Sequence, residues 1–598
     1  MQSVATIAET AQPRGRAGGF SSDRRQLWIG VALILATGLL PSLLGNSYWE
    51  HTFQLVNVYI AVAILQSFLF VDAGQKSFGQ GAILGLGAYG FAIASGLHGL
   101  PLLIGALVGI GAASLGGLIF ALPALRVQGF HLGFVTMSAA IVFPQLLNQF
   151  DGLTRGINGI SMTLPGLAAK PLPGLSWLTL LLTLVPIAGL FLHYRMRGSR
   201  LGRRMRVAAE SPEAARSLGI VPGLMRALAF LLTAALAGLC GVLYVPAVGF
   251  ISPQGFLLDL SFVFFFAVVV GGRGQLLGPI VGIWIIFILP SVFLVQLVEY
   301  KPLVYGLITL ATVLLFPDGV VGAFEARRRR ARRGGGEGAF RLEAVNEALA
   351  AIPPAPRPAP DAPPILSLSG ATKRFGKVVA VEGIDFELRP GEIHGLVGAN
   401  GSGKTSLLNV LSGFNRLNEG RYRLGGRDVT RRSAPAIARM GVARTFQNPR
   451  IFPFFSTWNN IRVGIDARHA PLDPSMRALA DRFAETMADD SPTLLSHGQR
   501  RLLEVVRVIM KDSDVVLFDE PAAGLSPRER EGFGTLVRHL SRTLGKAVVL
   551  VEHDLDLVWD IADRITVLET GRVVASGAPA DIVREPAVRA LFVGGSDA

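Results

Sequence analysis

Long apolar stretches fill the first half of the chain, up to about Phe316, and restrict its fold more than any other feature. Each has roughly 15–21 residues, close to the length of a membrane-spanning helix. Because lipid offers no hydrogen-bond partners to the backbone, such segments are expected to be α-helical. We therefore predict a polytopic all-α region of about ten spans, near residues 27–44, 52–71, 79–97, 101–121, 130–147, 176–194, 228–248, 258–272, 277–297 and 302–317.

Composition agrees with a chain that lies partly in a bilayer. Half of the 598 residues are hydrophobic and only 17% are charged, and the mean hydropathy is +0.46. The single cysteine, Cys240, excludes an internal disulfide framework. The first apolar stretch follows about 26 mostly polar residues without a persuasive cleavage site, so we expect an uncleaved span rather than a signal peptide.

Three arginine clusters indicate how these spans are oriented. They comprise Arg14, Arg16, Arg24 and Arg25, then residues 195–206, then six arginines between Arg327 and Arg333. The positive-inside rule places all three in the cytoplasm, and the even numbers of spans between them agree. The last run resembles a nucleic-acid arm. Its position directly after the last span instead predicts a cytoplasmic stop near anionic lipid head groups, with no nucleic acid bound.

The second half of the chain has a different pattern. Residues 340–352 predict a short amphipathic helix, and the Pro/Ala-rich residues 353–364 predict a stiff spacer. From Ile365, short β-rich runs alternate with amphipathic helices, which is typical of a soluble α/β domain. We therefore predict a tail at residues 1–26, a transmembrane domain at 27–322, a cytoplasmic linker at 323–364 and an α/β domain at 365–598.

A phosphate-binding loop stands near the start of that domain. Residues 395–411, GLVGANGSGKTSLLNVL, predict a strand, a glycine-rich turn and a helix. Backbone amides of such a loop surround phosphate oxygens, the lysine reaches the outer phosphates, and the threonine hydroxyl contributes to Mg²⁺ binding. The predicted nucleotide-binding residues are Gly398, Ala399, Asn400, Gly401, Ser402, Gly403, Lys404, Thr405 and Ser406.

A second acidic element follows further along the chain. Residues 514–521, DVVLFDEP, predict a buried strand that ends in two carboxylates. Asp519 suits the magnesium shell, and Glu520 suits polarising the attacking water. Two solvated acids at a strand end are the simpler reading, but a phosphate loop followed by such a strand favours a nucleotide hydrolase.

Residues 494–509, LLSHGQRRLLEVVRVI, lie between these elements and resemble the ATP-binding cassette (ABC) family. Leu495, Ser496, Gly498 and Gln499 match its signature, Leu-Ser-Gly-Gly-Gln, whereas His497 replaces a glycine. The resemblance implies that Ser496, Gly498 and Gln499 contact nucleotide. It also implies an adenine-stacking ring at Phe375, a glutamine loop that helps to bind magnesium at Gln447, and a switch histidine at His553. With Glu520, Gln447 and His553 form the expected catalytic group.

Residues 520–527, EPAAGLSP, resemble the branched-chain amino acid uptake subfamily, which has Ala-Gly-Leu-Asn-Pro here. Ser526 departs from that pattern, so its role at a dimer interface is open. The membrane half contains glycine-rich stretches, residues 74–90, 153–160 and 268–282, that resemble permease subunits of the same importers. Residues 211–220 resemble the coupling motif of bacterial importers in Glu213, Ala214, Ala215 and Gly219. The chain is therefore expected to fuse one permease with one ABC ATPase.

This resemblance implies a multi-pass protein of the bacterial inner membrane, with its N-terminus and ATPase domain cytoplasmic. Its expected activity is import of branched-chain or related amino acids, driven by hydrolysis of ATP with Mg²⁺. The expected partners are a second permease subunit, a second ATPase subunit and a periplasmic substrate-binding protein, although a homodimer would also supply two cassettes. Import of urea or short amides, an exporter and a membrane-tethered regulatory ATPase remain alternatives.

Overall fold

The structure is a computed structural model, and the residues it describes are 18–43, 46–126, 129–172, 174–293, 300–332, 342–356, 362–468, 471–472, 474–487, 492–553 and 555–593. The chain divides into two units. One contains Gly19–Glu210 and Pro222–Gly336. The other contains Glu337–Ala598 together with Ser211–Val221, a short stretch of the N-terminal half. We call these the membrane unit and the cassette unit.

The membrane unit is almost entirely helical. Asn46 and Ser176 begin two of its helices by accepting hydrogen bonds from backbone amides of the first turn. Its helices are α1 (Gly18–Leu43), α2 (Ser47–Ser67), α3 (Gln80–Phe91), α4 (Leu102–Arg126), α5 (Phe130–Gln149), α6 (Asp151–Thr154), α7 (Pro165–Ala168), α8 (Trp177–Gly198), α9 (Arg200–Glu210), α11 (Pro222–Val248), α12 (Leu258–Gly271), α13 (Gly278–Ile283), α14 (Lys301–Leu315) and α15 (Gly319–Arg332). Two short strands, β1 (Ile160–Ser161) and β2 (Phe250–Ile251), pair antiparallel.

The number of spans is close to the prediction. Nine helical segments of the described residues are long and apolar enough to cross a membrane, and a further apolar helix, Gly278–Pro290, is shorter. That helix corresponds to the predicted span 277–297. It passes from α13 into a π-helical stretch, Trp284–Phe293, and the end of the predicted span lies outside the described residues. Of the basic run, Arg327 to Arg332 lie on α15, and Arg333 is outside the described residues.

Glycines bring three helices of the membrane unit unusually close together. Helix α11 packs against α3 and α4, and Gly87 of α3 lies directly on Gly238 of α11. A Cβ placed on Gly87 would lie 2.7 Å from the Cα of Gly238, a distance that real Cβ atoms do not show. Without a hydrophobic driving force between helices in lipid, such close backbone contact is a main source of helix association.

A buried charge cluster fixes the region before residue 211. Asp72 accepts a hydrogen bond from His193 Nε2 at 2.6 Å and forms ion pairs with Arg206 and, at 3.5 Å, with Arg197. Arg197 also donates to the Gly274 carbonyl at 2.8 Å. Because buried charges are costly unless paired, this cluster connects α8 and α9 to the ends of two other spans.

The cassette unit has two sheets. Their strands are β3 (Leu366–Phe375), β4 (Val378–Leu388), β5 (Ile393–Val397), β6 (Glu419–Leu424), β7 (Arg427–Asp428), β8 (Val442–Arg444), β9 (Val515–Asp519), β10 (Ala547–Val551), β11 (Arg564–Glu569) and β12 (Arg572–Gly577). A six-stranded sheet has the order β12-β11-β5-β10-β9-β8, in which β12 alone runs antiparallel to its neighbour. A four-stranded antiparallel sheet has the order β4-β3-β6-β7.

The cassette unit also contains eleven α-helices among its described residues. They are α10 (Pro212–Ser217), α16 (Leu342–Ala350), α17 (Lys404–Leu411), α18 (Ala434–Arg439), α19 (Thr457–Asp466), α20 (Pro474–Met487), α21 (His497–Lys511), α22 (Pro527–Arg538), α23 (Leu555–Ile561), α24 (Pro579–Ile582) and α25 (Pro586–Val593). Alternate residues of β10 enter two separate cores: Val548 and Leu550 pack with the helices, whereas Val549 and Val551 pack with the antiparallel sheet. Because successive side chains of a strand point to opposite faces of the sheet, both faces of β10 are buried. The predicted fold class, an all-α membrane region followed by an α/β phosphate-loop domain, is confirmed.

The predicted amphipathic helix before the cassette is α16, and it packs on the cassette. Val345 and Leu349 are fully buried in the helical core, and the Asn346 amide donates to the Gly532 carbonyl at 2.9 Å. The chain after the helix remains in contact, because the Ala355 amide donates to the Thr543 carbonyl at 2.7 Å. This part of the predicted linker therefore belongs structurally to the cassette unit.

The close approach of α3 and α11 gives the first prediction. Gly87→Val should destabilise the membrane unit by about 1–3 kcal/mol or more, because the new side chain meets the backbone of Gly238. Gly111→Val is the matched control, since a Cβ at Gly111 meets nothing within 4 Å. The measurement is the thermal unfolding midpoint in detergent. Equal midpoints for the two variants would show that the glycine contact is not needed.

Candidate active site

The phosphate loop lies between β5 and α17, as the sequence predicts. Gly401 and Gly403 have φ values of +83° and +103°, in a region that favours glycine, and Gly403 leads directly into α17. The Lys404 ammonium folds back over the loop and donates to the carbonyls of Gly398 at 2.7 Å and Ala399 at 2.8 Å. The first turn of α17 and the loop amides together form an anion-binding cradle.

Burial lowers the pKa of Lys404, while the nearby carboxylates of Glu520 and Asp519 act in the opposite direction. The charged ammonium is therefore poorly solvated in this position. An anionic ligand in the loop would supply the compensating charge that the carbonyls only partly provide.

Asp519 ends strand β9 inside the cassette. Its Oδ2 accepts from Arg444 at 2.7 Å, and Arg444 is itself held by Asn409 and Ser412. The other oxygen, Oδ1, is buried and has no hydrogen-bond partner among the described residues. An unpartnered buried carboxylate oxygen fits a hard divalent cation. Thr405 is exposed, and its hydroxyl is a second oxygen ligand that a hard cation would accept.

Glu520, the next residue, is held by two side chains from distant parts of the chain. Gln447 Nε2 donates to its Oε2 at 2.9 Å, and His553 Nε2 donates to its Oε1 at 2.7 Å. Glu520 also has a φ of +49°, which is uncommon for a residue with a Cβ and is typical of functional sites. The structure thus brings together the three residues predicted as the catalytic group.

Arg501 is a buried cation that binds the backbone of this group. It is 2% exposed, and its guanidinium donates to the carbonyls of Phe446, of Gln447 at 2.5 Å and of Glu520 at 3.1 Å. The glutamine loop and Glu520, the predicted catalytic glutamate, therefore share one buried cation. Sequence reasoning did not identify Arg501 or Arg444, although Arg444 stands only three residues before Gln447.

A second acid, Glu552, connects the loops on either side of the site. Its Oε1 accepts from the Ala522 amide at 2.5 Å, and its Oε2 accepts from the His553 amide at 3.3 Å. Burial, with a smaller contribution from the nearby Glu520 charge, raises the pKa of Glu552 to about 7. Glu520 is therefore available for chemistry, whereas Glu552 holds the backbone of the neighbouring loops.

The signature residues begin helix α21. The Ser496 hydroxyl accepts from the Gln499 amide at 3.2 Å, and Gln499 Oε1 accepts from the Ser496 amide at 3.0 Å, which forms a capping box. A Cβ at Gly524 would lie 3.5 Å from the His497 ring, so this unusual residue packs beside the loop that follows Glu520. Within the described residues, no hydrogen bond or ion pair joins the signature to the phosphate loop of the same cassette.

Ser526 has a clear local role. Its hydroxyl accepts from the Glu529 amide and donates to the Glu529 carboxylate at 2.7 Å, so it caps helix α22. The pattern Ser-x-x-Glu could have indicated this cap from the sequence. Phe375 is half-exposed at the end of β3, with the Lys373 ammonium 4.9 Å from its ring centroid, and its predicted adenine contact stays a prediction.

The predicted coupling motif lies in Ser211–Val221, which we call the coupling segment. Helix α10 begins at the capping residue Ser211, and its C-terminus has Gly219 in a left-handed conformation with a φ of +78°. Ala214 and Ala215 are fully buried. Glu213 pairs with Arg450 at 2.7 Å, and the Gly219 carbonyl accepts from Arg439 at 2.8 Å. Arg450 follows Gln447 by three residues, so the coupling segment contacts the glutamine loop.

Two family models match the two halves of the chain. One, described as a branched-chain amino acid transport system permease component, matches residues 50–313. The other, described as ABC transporter, matches residues 381–523. The high-affinity branched-chain amino acid transport ATP-binding proteins BraF of Pseudomonas aeruginosa and LivG of Escherichia coli (strain K12) are similar to the cassette. Each is 34% identical over 253 residues, which cover 39% of this chain and 98% of the relative.

The crystal structure of a nucleotide-free ATP-binding cassette from an ABC transporter is 25% identical to this chain. The match covers 38% of this chain and 99% of that chain, with a TM-score of 0.34.

The position of Arg501 gives the second prediction. Arg501→Met should lower the kcat of ATP hydrolysis by about tenfold or more, because Gln447 and Glu520 lose the cation that aligns them. Apparent ATP affinity should change less, since Arg501 does not contact the phosphate loop. Arg538→Met, which removes an exposed ion pair with Asp560, is the control. If steady-state kinetics gave the two variants the same kcat, Arg501 would have no part in aligning the site.

Proposed function

Because the chain belongs to the ABC transporter family, we propose that it is a fused permease and ATPase subunit of an importer. It uses ATP hydrolysis to carry branched-chain or related amino acids across the bacterial inner membrane. The observation that carries this proposal is that a permease region and a cassette stand in one chain. In that cassette, Gln447 and His553 both donate hydrogen bonds to the Glu520 carboxylate. The names of the relatives support the class of substrate.

The site residues divide the chemistry of hydrolysis among them. The loop from Gly398 to Ser406 holds the phosphates, with Lys404 at the outer ones. Thr405, Gln447 and Asp519 would hold Mg²⁺, which supplies positive charge where phosphate oxygens become more negative. Glu520 accepts a proton from the attacking water, and His553 orients its carboxylate.

Two cassettes are needed for a complete site. Ser496, Gly498 and Gln499 stand at the N-terminus of α21, where backbone amides and the helix dipole favour an anion. Ser496 and Gln499 hydrogen-bond to each other in the first turn of this helix, and Ser496 is exposed. We propose that they complete the nucleotide site of a second cassette, and that Phe375 stacks on the adenine of the first.

Assembly and topology follow from the same proposal. A second permease and a second ATPase subunit complete the transporter, and a periplasmic binding protein presents the substrate. The N-terminus, the arginine clusters and the cassette lie in the cytoplasm, with the basic residues of α15 near lipid head groups. The coupling segment, through Glu213, Ala214, Ala215 and Gly219, passes movements of the cassette to the permease.

The direct test uses the native complex, purified through a tag on this chain and reconstituted in proteoliposomes. Wild-type complex should take up labelled L-leucine only with ATP. Glu520→Gln should still bind ATP while losing most hydrolysis and uptake, because the metal ligands remain and only the proton acceptor is lost. ATP-dependent uptake of labelled urea or acetamide, but not L-leucine, would replace the proposed substrate class. Hydrolysis at the parental rate in Glu520→Gln would refute the assignment of the base.

The need for partners gives a separate prediction. The purified chain alone should have weak ATPase activity and no L-leucine uptake in liposomes, because one chain supplies one permease and one cassette. Adding back the subunits that co-purify with it, together with a loaded binding protein, should restore uptake. Robust uptake by the chain alone would mean that a homodimer is sufficient.

A further inference from the structure

Helix α21 carries an unusual row of buried charges beyond the signature. Arg501, Glu504, Arg507 and Lys511 are spaced by three or four residues, so they lie on one face of the helix. Their exposed fractions are 2%, 0%, 3% and 6%. Charges at this spacing usually form a solvated face, whereas here all four are inside the protein. Such burial requires close polar partners.

The middle of the row holds the glutamine loop by its backbone. Glu504 accepts from the amides of Phe446 at 3.3 Å and Arg450 at 3.0 Å. Arg507 donates to the Arg450 carbonyl at 2.7 Å and to Glu504 at 3.2 Å. Together with Arg501, these side chains contact both ends of residues 446–450. The position of this loop is thus tied to α21.

Lys511, the last residue of α21, makes a different connection. Its ammonium donates to the carbonyls of Val442 at 2.6 Å, Ala438 at 2.8 Å and Ser217 at 3.2 Å. An ammonium has three N–H donors, so these bonds use all of them. Ala438 lies in the last turn of α18, and Ser217 is the last residue of α10. Carbonyls at helix C-termini lack partners in the helix and favour a cation.

Lys511 therefore bonds α21 directly to the coupling segment, without involving the glutamine loop. The N-terminus of α21 carries the signature, and its C-terminus holds the Ser217 carbonyl. An α-helix of 15 residues is stiff over its length of about 22 Å, so a displacement at one end moves the other.

We propose that Lys511 is a positioning residue for transport, which fixes the coupling segment to the helix that begins with the signature. The inference rests on the proposed function for its transport role, but the contact itself does not. A nucleotide bound at the signature then displaces the coupling segment through the helix axis and Lys511. This route acts in parallel with the Glu213–Arg450 contact of the glutamine loop.

Three variants separate this role from general support of the fold. Lys511→Met keeps a long side chain and removes all three donated bonds. Lys511→Arg keeps the positive charge and N–H donors. Lys546→Met is the matched control, because Lys546 pairs at 2.7 Å with Asp512, the residue that follows Lys511, and makes no hydrogen bond to the coupling segment within the described part of the chain.

The first measurement is amide hydrogen exchange of the full-length chain in nanodiscs without nucleotide. Lys511→Met should speed exchange of the coupling segment by about tenfold or more, while strands β5, β9 and β10 remain protected. Lys511→Arg should restore most of the protection, and Lys546→Met should match wild type. Unchanged exchange in the coupling segment, or equally faster exchange in those strands, would overturn the proposal.

The second measurement is labelled L-leucine taken up per ATP hydrolysed by the reconstituted native complex. Lys511→Met should lower this ratio about fivefold or more, with ATP binding retained, and Lys511→Arg should recover it. An unchanged ratio in Lys511→Met would refute the transport role. If wild-type complex transports no L-leucine, the proposed function fails, and the exchange measurement still decides whether Lys511 holds the segment.

Discussion

The geometry of the cassette depends on the buried charges of helix α21. Removing charged groups from water is costly, and the cost is offset only when each group has close, well-oriented partners. Arg501, Glu504, Arg507 and Lys511 find those partners in the backbone of the glutamine loop, in the Glu520 carbonyl and in the coupling segment. The same interactions that offset the cost of burying these charges therefore set the positions of the proposed catalytic and coupling elements.

Glu520, the proposed catalytic glutamate, shows what this arrangement means for hydrolysis. Both oxygens of Glu520 accept hydrogen bonds, one from Gln447 and one from His553. For Glu520 to accept a proton from water, the water must reach the second lone pair of one of these oxygens or replace one of the two donors. Gln447 belongs to the loop held by α21, and His553 is linked through its amide to Glu552. Small movements of either loop thus change the availability of the base, which is how a nucleotide-dependent closure can control the reaction.

Much of the site could be predicted from the sequence because its elements are local. The phosphate loop, Asp519 and Glu520 follow from short patterns whose chemistry needs particular residues, and the family resemblance supplied Gln447 and His553. The resemblance to an ABC importer with a permease half is confirmed. Arg501 and Lys511 were not predicted, because charged residues at helical spacing usually indicate a solvated face. Their burial is decided by residues 446–450 and 217, which are distant in sequence.

Three other features depart from the sequence-based expectation or from the family pattern. The predicted span 277–297 starts as an α-helix and continues as a π-helix to Phe293, and its last residues lie outside the described part of the chain. Ser526 departs from the family pattern, yet it retains the ability to cap a helix, which serine does as well as asparagine. His497 packs beside Gly524, so its ring is accommodated within its own cassette.

A nucleotide bound at the cassette should displace the coupling segment through α21. The most direct measurement is amide exchange of residues 211–221 in the native complex carrying Glu520→Gln, with and without ATP and Mg²⁺. Exchange in this segment should change when ATP protects the phosphate loop, and no change should occur when Lys404→Ala prevents binding. Protection of the phosphate loop by ATP with identical exchange at residues 211–221 would contradict the claim.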